Sequence, residues 1–164
     1  MKYRMNRLFV LTLLGVAALG VQAEGRYNGE DRGRPVQPAQ LNAKWQQECA
    51  GCHMAFPAGL LPAASWRKLM SGLDQHFGAD ASLSPQDTTE ITDFLVKNAS
   101  NRWTAATAPL RITESAWFKS KHNSGEIAPA VWKRPSIKSP SNCMACHAGA
   151  DKGDFNEHSI KIPK

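Results

Sequence analysis

The stretch CAGCH, residues 49–53, sets two thiols three positions apart with an imidazole directly after the second, and CMACH, residues 143–147, repeats the arrangement. Between them the two stretches use all four cysteines of the chain. C-x-x-C-H is the attachment signature of a c-type haem. Its two thiols add to the two vinyl groups of the porphyrin, and the histidine is directed at the iron as an axial ligand. Cys49, Cys52 and His53 are therefore expected to hold one haem c, and Cys143, Cys146 and His147 a second. Ala50, Gly51 and Ala145 are small where the backbone must lie against the ring. Two disulfides or a four-cysteine zinc site would use the same thiols but leave both adjacent histidines unexplained.

Each iron has a sixth position, and its occupant separates electron transfer from ligand chemistry. Of five methionines, Met1 and Met5 lie at the extreme N-terminus, and Met54 and Met144 sit beside or inside the motifs on the proximal side. Met70 remains as a candidate, with a core role as its alternative. His53 and His147 being committed, His76, His122 and His158 are left. Trp66, Leu69, Met70 and Leu73 recur at helical spacing after Pro62, and continuing that period reaches His76. A second helix is expected to start at Thr113 as cap, with Phe118 one turn before His122 on the same face. His158 lies in a polar tail. His76 and His122 are thus the expected distal ligands, with Met70 and His158 as substitutes. Sequence proximity pairs His76 with the first haem and His122 with the second.

The elements that position these groups read as mainly helical, with short helices and long loops around two covalently bound haems. A helix carrying Trp45 should run from about Leu41 into the first motif. Another should start at Ser84, Pro85 and Asp87 and bury Ile91, Phe94 and Leu95. Beyond Asn101 the chain turns irregular, with prolines at 109, 129, 135 and 140, and no alternating strand pattern is present. A thin apolar core is expected, because two porphyrins supply much of the buried surface.

Residues 1–23 have a basic start, an uncharged apolar run from Leu8 to Gly20, and small residues at Val21 and Ala23, the three parts of a secretory signal peptide. Thirteen apolar residues are short for a bilayer that needs about 20, so no stable membrane insertion is expected. Residues 24–40 read as a flexible leader rich in glycine, proline and charge, and residues 41–164 as the haem-binding domain. The formal charge of the whole chain is +6. Removing Lys2, Arg4 and Arg7 lowers it to +3, and the remaining basic residues form no aromatic-interleaved run. Nucleic acid is not an expected partner.

The stretches CAGCHMAFPAGLLPAASWRKLMSGLDQHFGADASL, RITESAWFKSKH, SNCMACHAGA and the terminal IKIP resemble the small dihaem cytochromes c of bacterial periplasms, from about Leu41 onward. The resemblance implies two low-spin haems with two histidine ligands each, His76 and His122 being the distal ones. It also implies a periplasmic electron-transfer protein without catalytic activity. Its donor would be a membrane cytochrome b, and its acceptor a soluble monohaem cytochrome or another periplasmic haem protein. The competing function is a small haem enzyme, a peroxidase or nitrogen-oxide reductase, with one open iron.

Overall fold

Asn42 opens the ordered part of the chain as a helix cap: its side-chain oxygen accepts from the N–H of Trp45 at 2.7 Å and starts α1, Ala43–Cys49. The computed structural model describes residues 41–101 and 108–164, so the expected signal peptide and leader lie outside the described residues. Three more α-helices follow, α2 at Ala63–Met70, α3 at Pro85–Lys97 and α4 at Ala116–Lys121. The rest is 3-10 turns and loops, with two isolated bridges, Pro62 to Ser100 and His76 to Ala79. The architecture is mainly α with short helices, as the apolar periodicity and the lack of an alternating pattern predict.

The apolar core is built from α1, α2 and α3. Trp45, Ala55, Ala58, Leu61, Trp66, Met70, Ile91 and Leu95 are all buried in one cluster. Trp45 packs on Phe94 with ring centres 5.3 Å apart. Asn42 donates from its side-chain amide to Glu90 at 2.9 Å, tying the start of α1 to α3. The buried indole of Trp66 donates to the carbonyl of Ala58 at 2.7 Å, so no polar atom of that large ring is left unpaired. Ser84 caps α3 by accepting from the N–H of Asp87, and Pro85 occupies the first helical position, where a missing N–H costs nothing.

Residues 108–164 are organised differently. Their buried apolar residues, Phe118, Val131, Ile137 and Ala150, fall outside that cluster. Hydrogen bonds to the main chain hold this part instead. Lys161 N–H donates to Cys146 at 3.1 Å, Arg134 donates to the carbonyl of Pro163 at 2.7 Å, and Ser136 to that of Lys164 at 2.9 Å. The C-terminal residues are thereby strapped across the second motif. Ser65, buried in α2, donates to Pro109 at 2.6 Å and links the two parts.

Candidate haem sites

The first motif straddles a helix end. Cys49 is the last residue of α1, Ala50 closes it, and Cys52 and His53 follow on an exposed turn. The second motif is a 3-10 turn, Cys143–Ala145, with the N–H of His147 on the carbonyl of Cys143 at 2.8 Å. Two different local structures thus present the same three side chains. All four thiols are free. Burial pushes the Cys49 thiol up to about 11, helped by Glu48, and burial likewise pushes Cys143 to about 11. Among the described residues, no three His, Cys, Asp or Glu side chains gather where they could hold a metal ion. The zinc arrangement therefore has no geometric support here.

What gathers instead is imidazole pairs. His53 and His76 have ring centres 6.1 Å apart, and His122 and His147 have the same 6.1 Å separation. Metal–imidazole bonds of about 2.0–2.1 Å, with about 1.1 Å from each nitrogen to its ring centre, would put two imidazoles on opposite sides of one metal about 6.3 Å apart. Both pairs match that spacing within a few tenths of an ångström. His53 Nδ1 lies 2.7 Å from the carbonyl of Met54, and His122 Nδ1 lies 3.1 Å from that of Phe118. A proton on Nδ1 donated to the carbonyl leaves the Nε2 lone pair for metal. Burial also lowers the pKa of His76, His122 and His147, favouring the neutral form that ligates. Buried Nδ1 atoms of His76 and His147 have no hydrogen-bond partner among the described residues.

Aromatic rings frame both pairs. Phe56 packs on His53 at 4.9 Å. Phe118 is stacked on His122 at 4.1 Å with the planes only 13° apart, Trp132 stands 5.9 Å from the same imidazole, and Phe155 lies 5.3 Å from His147. Around the second pair these rings enclose a cavity of about 480 Å³ that also exposes Cys143 and Cys146, so thiols and imidazoles open onto one apolar-walled space. A second cavity of about 270 Å³ is lined by Cys52, His53 and Met54 on one side and Ser141, Asn142, Cys143 and Met144 on the other. The two motifs are neighbours in the fold. On these observations the residues present fit two c-type haems.

Several local expectations need correcting. His76 does not continue the α2 helix. That helix stops at Met70, and His76 follows a separate 3-10 turn, Leu73–Gln75. There it starts a tight turn in which Phe77 and Gly78 both take positive φ, 52° and 98°, and Ala79 N–H returns to the His76 carbonyl at 3.1 Å. Two successive positive φ angles are the signature of a primed hairpin turn. Phe77 is held there by the Arg111 guanidinium, 4.0 Å above its ring. The cap of α4 is Ser115, whose hydroxyl accepts from Phe118 N–H at 3.0 Å, rather than Thr113. Met70 sits in the core cluster, and His158 is exposed on a 3-10 turn. Phe56, Trp132, Phe155 and Arg111 were not singled out by sequence. Of these, Phe56 could have been, since it lies three positions from His53, on which it packs.

A family model described as dihaem cytochrome c matches residues 45–155. Among solved structures, one reported as DHC purified from Rhodobacter sphaeroides is 46% identical, covering 71% of this chain and 98% of that chain, with a TM-score of 0.62. A dihaem cytochrome c from the same organism is 44% identical over 70% and 97%, with a TM-score of 0.64. A dihaem cytochrome type c from Shewanella baltica OS155 is 42% identical over 74% and 93%, with a TM-score of 0.66. Among curated proteins no match is found.

Proposed function

The chain belongs to the dihaem cytochrome c family and carries two c-type haems, and on that premise we propose that it is an electron carrier whose two irons are each closed by two histidines, with no catalysis of its own. Bound haem supplies an iron that takes up and releases one electron at a time. Cys49 and Cys52 tether one ring and Cys143 and Cys146 the other. His53 and His76 ligate the first iron, and His147 and His122 the second. The observation that carries this reading is the 6.1 Å spacing found twice. Two imidazoles at that spacing would close a bound iron and leave substrate no entry point. Axial methionine raises haem potential, so two histidines at each iron should keep both couples low.

The donor we propose is a membrane cytochrome b, and the acceptor a soluble monohaem cytochrome or another periplasmic haem protein. The carrier itself is exported by its N-terminal signal peptide to the periplasm. Members of the cytochrome c class are typically exported, and among the described residues no helix is long and apolar enough to cross a membrane. Docking through local charge patches accelerates encounter at low salt.

Intact mass of the exported protein should show two haems on a chain beginning at Glu24. His76→Ala should open one iron to carbon monoxide and leave the other low-spin, and His122→Ala should do the converse. A fully low-spin variant would reassign that ligand, to Met70 or His158. Stopped-flow mixing with reduced protein should show transfer to a haem-protein acceptor that slows as ionic strength rises. Turnover of peroxide, nitrite or hydroxylamine at the rate of a dedicated enzyme would overturn the carrier reading.

A further inference from the structure

The two imidazole pairs share a spacing and differ in orientation. The ring planes of His53 and His76 are inclined by 30°, those of His122 and His147 by 70°. The steeper angle is built in. His122 lies flat against buried Phe118 and is held by the Phe118 carbonyl, so it cannot turn without displacing that ring. His147 is fixed at its main chain by Cys143 and faces Phe155 at 59°.

An axial imidazole donates π density into the iron d orbital whose lobes stand perpendicular to its plane. Two parallel rings raise the same orbital and split the d pair, whereas two perpendicular rings raise both orbitals alike. The splitting falls with the cosine of the interplanar angle. The 30° pair keeps about 0.87 of the parallel value and the 70° pair about 0.34, axial ligation being a lever on haem electronics. A ferrous iron, with both orbitals filled, gains nothing from the splitting. A ferric iron, with one electron missing from the raised orbital, does gain. The 70° pair therefore stabilises its ferric form less.

Burial acts in the same direction. At the first pair His53 is exposed and His76 half-buried, while at the second both His122 and His147 are half-buried in the walled cavity. A less polar surrounding disfavours the extra positive charge of a ferric centre. Charges act weakly against this, among them exposed Arg111 near His76 and exposed Asp154 near His147. Lys121 lies 2.8 Å from Glu157, and both Glu157 and Glu126 are exposed, where solvent and salt screen them.

The geometry points to two unequal centres filled in a fixed order: the His122–His147 iron is reduced first and holds a lone electron, and the His53–His76 iron is reduced second. This ordering rests on the reading that each pair closes one iron.

A potentiometric titration of the two-haem protein followed by electron paramagnetic resonance tests it. The oxidised protein should show one rhombic low-spin signal and one highly anisotropic low-spin signal. On reduction the anisotropic signal should disappear first, with about a tenfold preference, which is 59 mV for one electron. His76→Ala should remove the rhombic signal and leave the anisotropic one. Loss of the rhombic signal first, two rhombic signals, or an anisotropic signal that vanishes in His76→Ala would each overturn the ordering. A high-spin ferric signal in the unmodified protein would instead overturn the ligation reading itself. If His76→Ala does not fold, the order of loss in the unmodified protein decides.

Discussion

Replacing Phe118 with leucine separates what holds His122 in place from what makes it a ligand. The Phe118 ring is 8% exposed and stacks on the imidazole at 4.1 Å and 13°, while its carbonyl holds His122 Nδ1 at 3.1 Å. Leucine keeps the carbonyl and much of the volume and removes the flat face. A near volume-conserving core change costs up to about 1.5 kcal/mol. The lost ring pair adds about 0.5–1.5 kcal/mol. The sum, about 0.5–3 kcal/mol, should lower the melting temperature by about 1–12 °C for a chain of this size. Spectroscopically, the second iron should stay six-coordinate and low-spin. Its resonance should broaden and move toward the rhombic type as the imidazole gains rotational freedom, and the first iron should not respond. The assay is a thermal melt by circular dichroism beside an oxidised resonance spectrum. A high-spin second iron would show that the ring, not the carbonyl, keeps His122 in place. An unchanged anisotropic signal would refute the claim that stacking sets the 70° angle.

Three further outcomes follow from particular contacts. A Cβ on Gly149 would stand 2.9 Å from the Asp154 Cβ, so Gly149→Ala should destabilise by about 1–3 kcal/mol in denaturant unfolding and disturb the second haem spectrum through Phe155. Phe77→Gly loses a cation–π contact of about 0.5–1 kcal/mol but relieves a left-handed φ that costs about 1–2 kcal/mol, so its melting temperature should barely move despite the lost aromatic. Lys121 lowers the pKa of Glu157 by a direct hydrogen bond. A depressed carboxylate contributes stability above its unfolded value, near 4.5, that is lost as pH falls through the folded value. Glu157→Gln should therefore cost under about 1 kcal/mol at neutral pH, shrinking to nothing in acid, as read by urea unfolding at both pH values.

Local signals were legible where the responsible atoms lie within a few residues. Ser84, Pro85 and Asp87 start α3 as the sequence predicts, because cap and first turn are bonded to each other. The two C-x-x-C-H stretches declare their chemistry without any knowledge of the fold. His76 and His122 could be named as candidates because few histidines remained. Their placement was less legible. The apolar period through Leu73 implied one continuous helix, yet Ser71 ends α2 by donating to the Lys68 carbonyl, and Gly72 follows with a non-helical φ of −137°. The period continued while the helix did not. Likewise Thr113 and Ser115 are equally good caps by type, and only tertiary packing around buried Phe118 selects Ser115. Trp132 and Phe155 reach their histidines across loops whose course no periodicity records.

The lopsided core has a consequence for how the molecule is assembled. All eight buried members of the apolar cluster come from residues 45–95. That part holds its own hydrophobic nucleus and contains the local contacts that fold quickly. Among the described residues, 108–164 add to that cluster just the partly buried Ile112, and they close around a cavity walled by thiols, imidazoles, aromatic rings and aliphatic side chains, with Leu60 of the first part among them. Until a porphyrin fills that space, the apolar side chains around it, among them Ile127, Trp132 and Ile160, are short of burial to set against chain entropy. Attachment at Cys143 and Cys146 should thus act as a quality mark: a chain that has missed it is expected to stay open to proteases from about residue 108 onward, while its first part resists them.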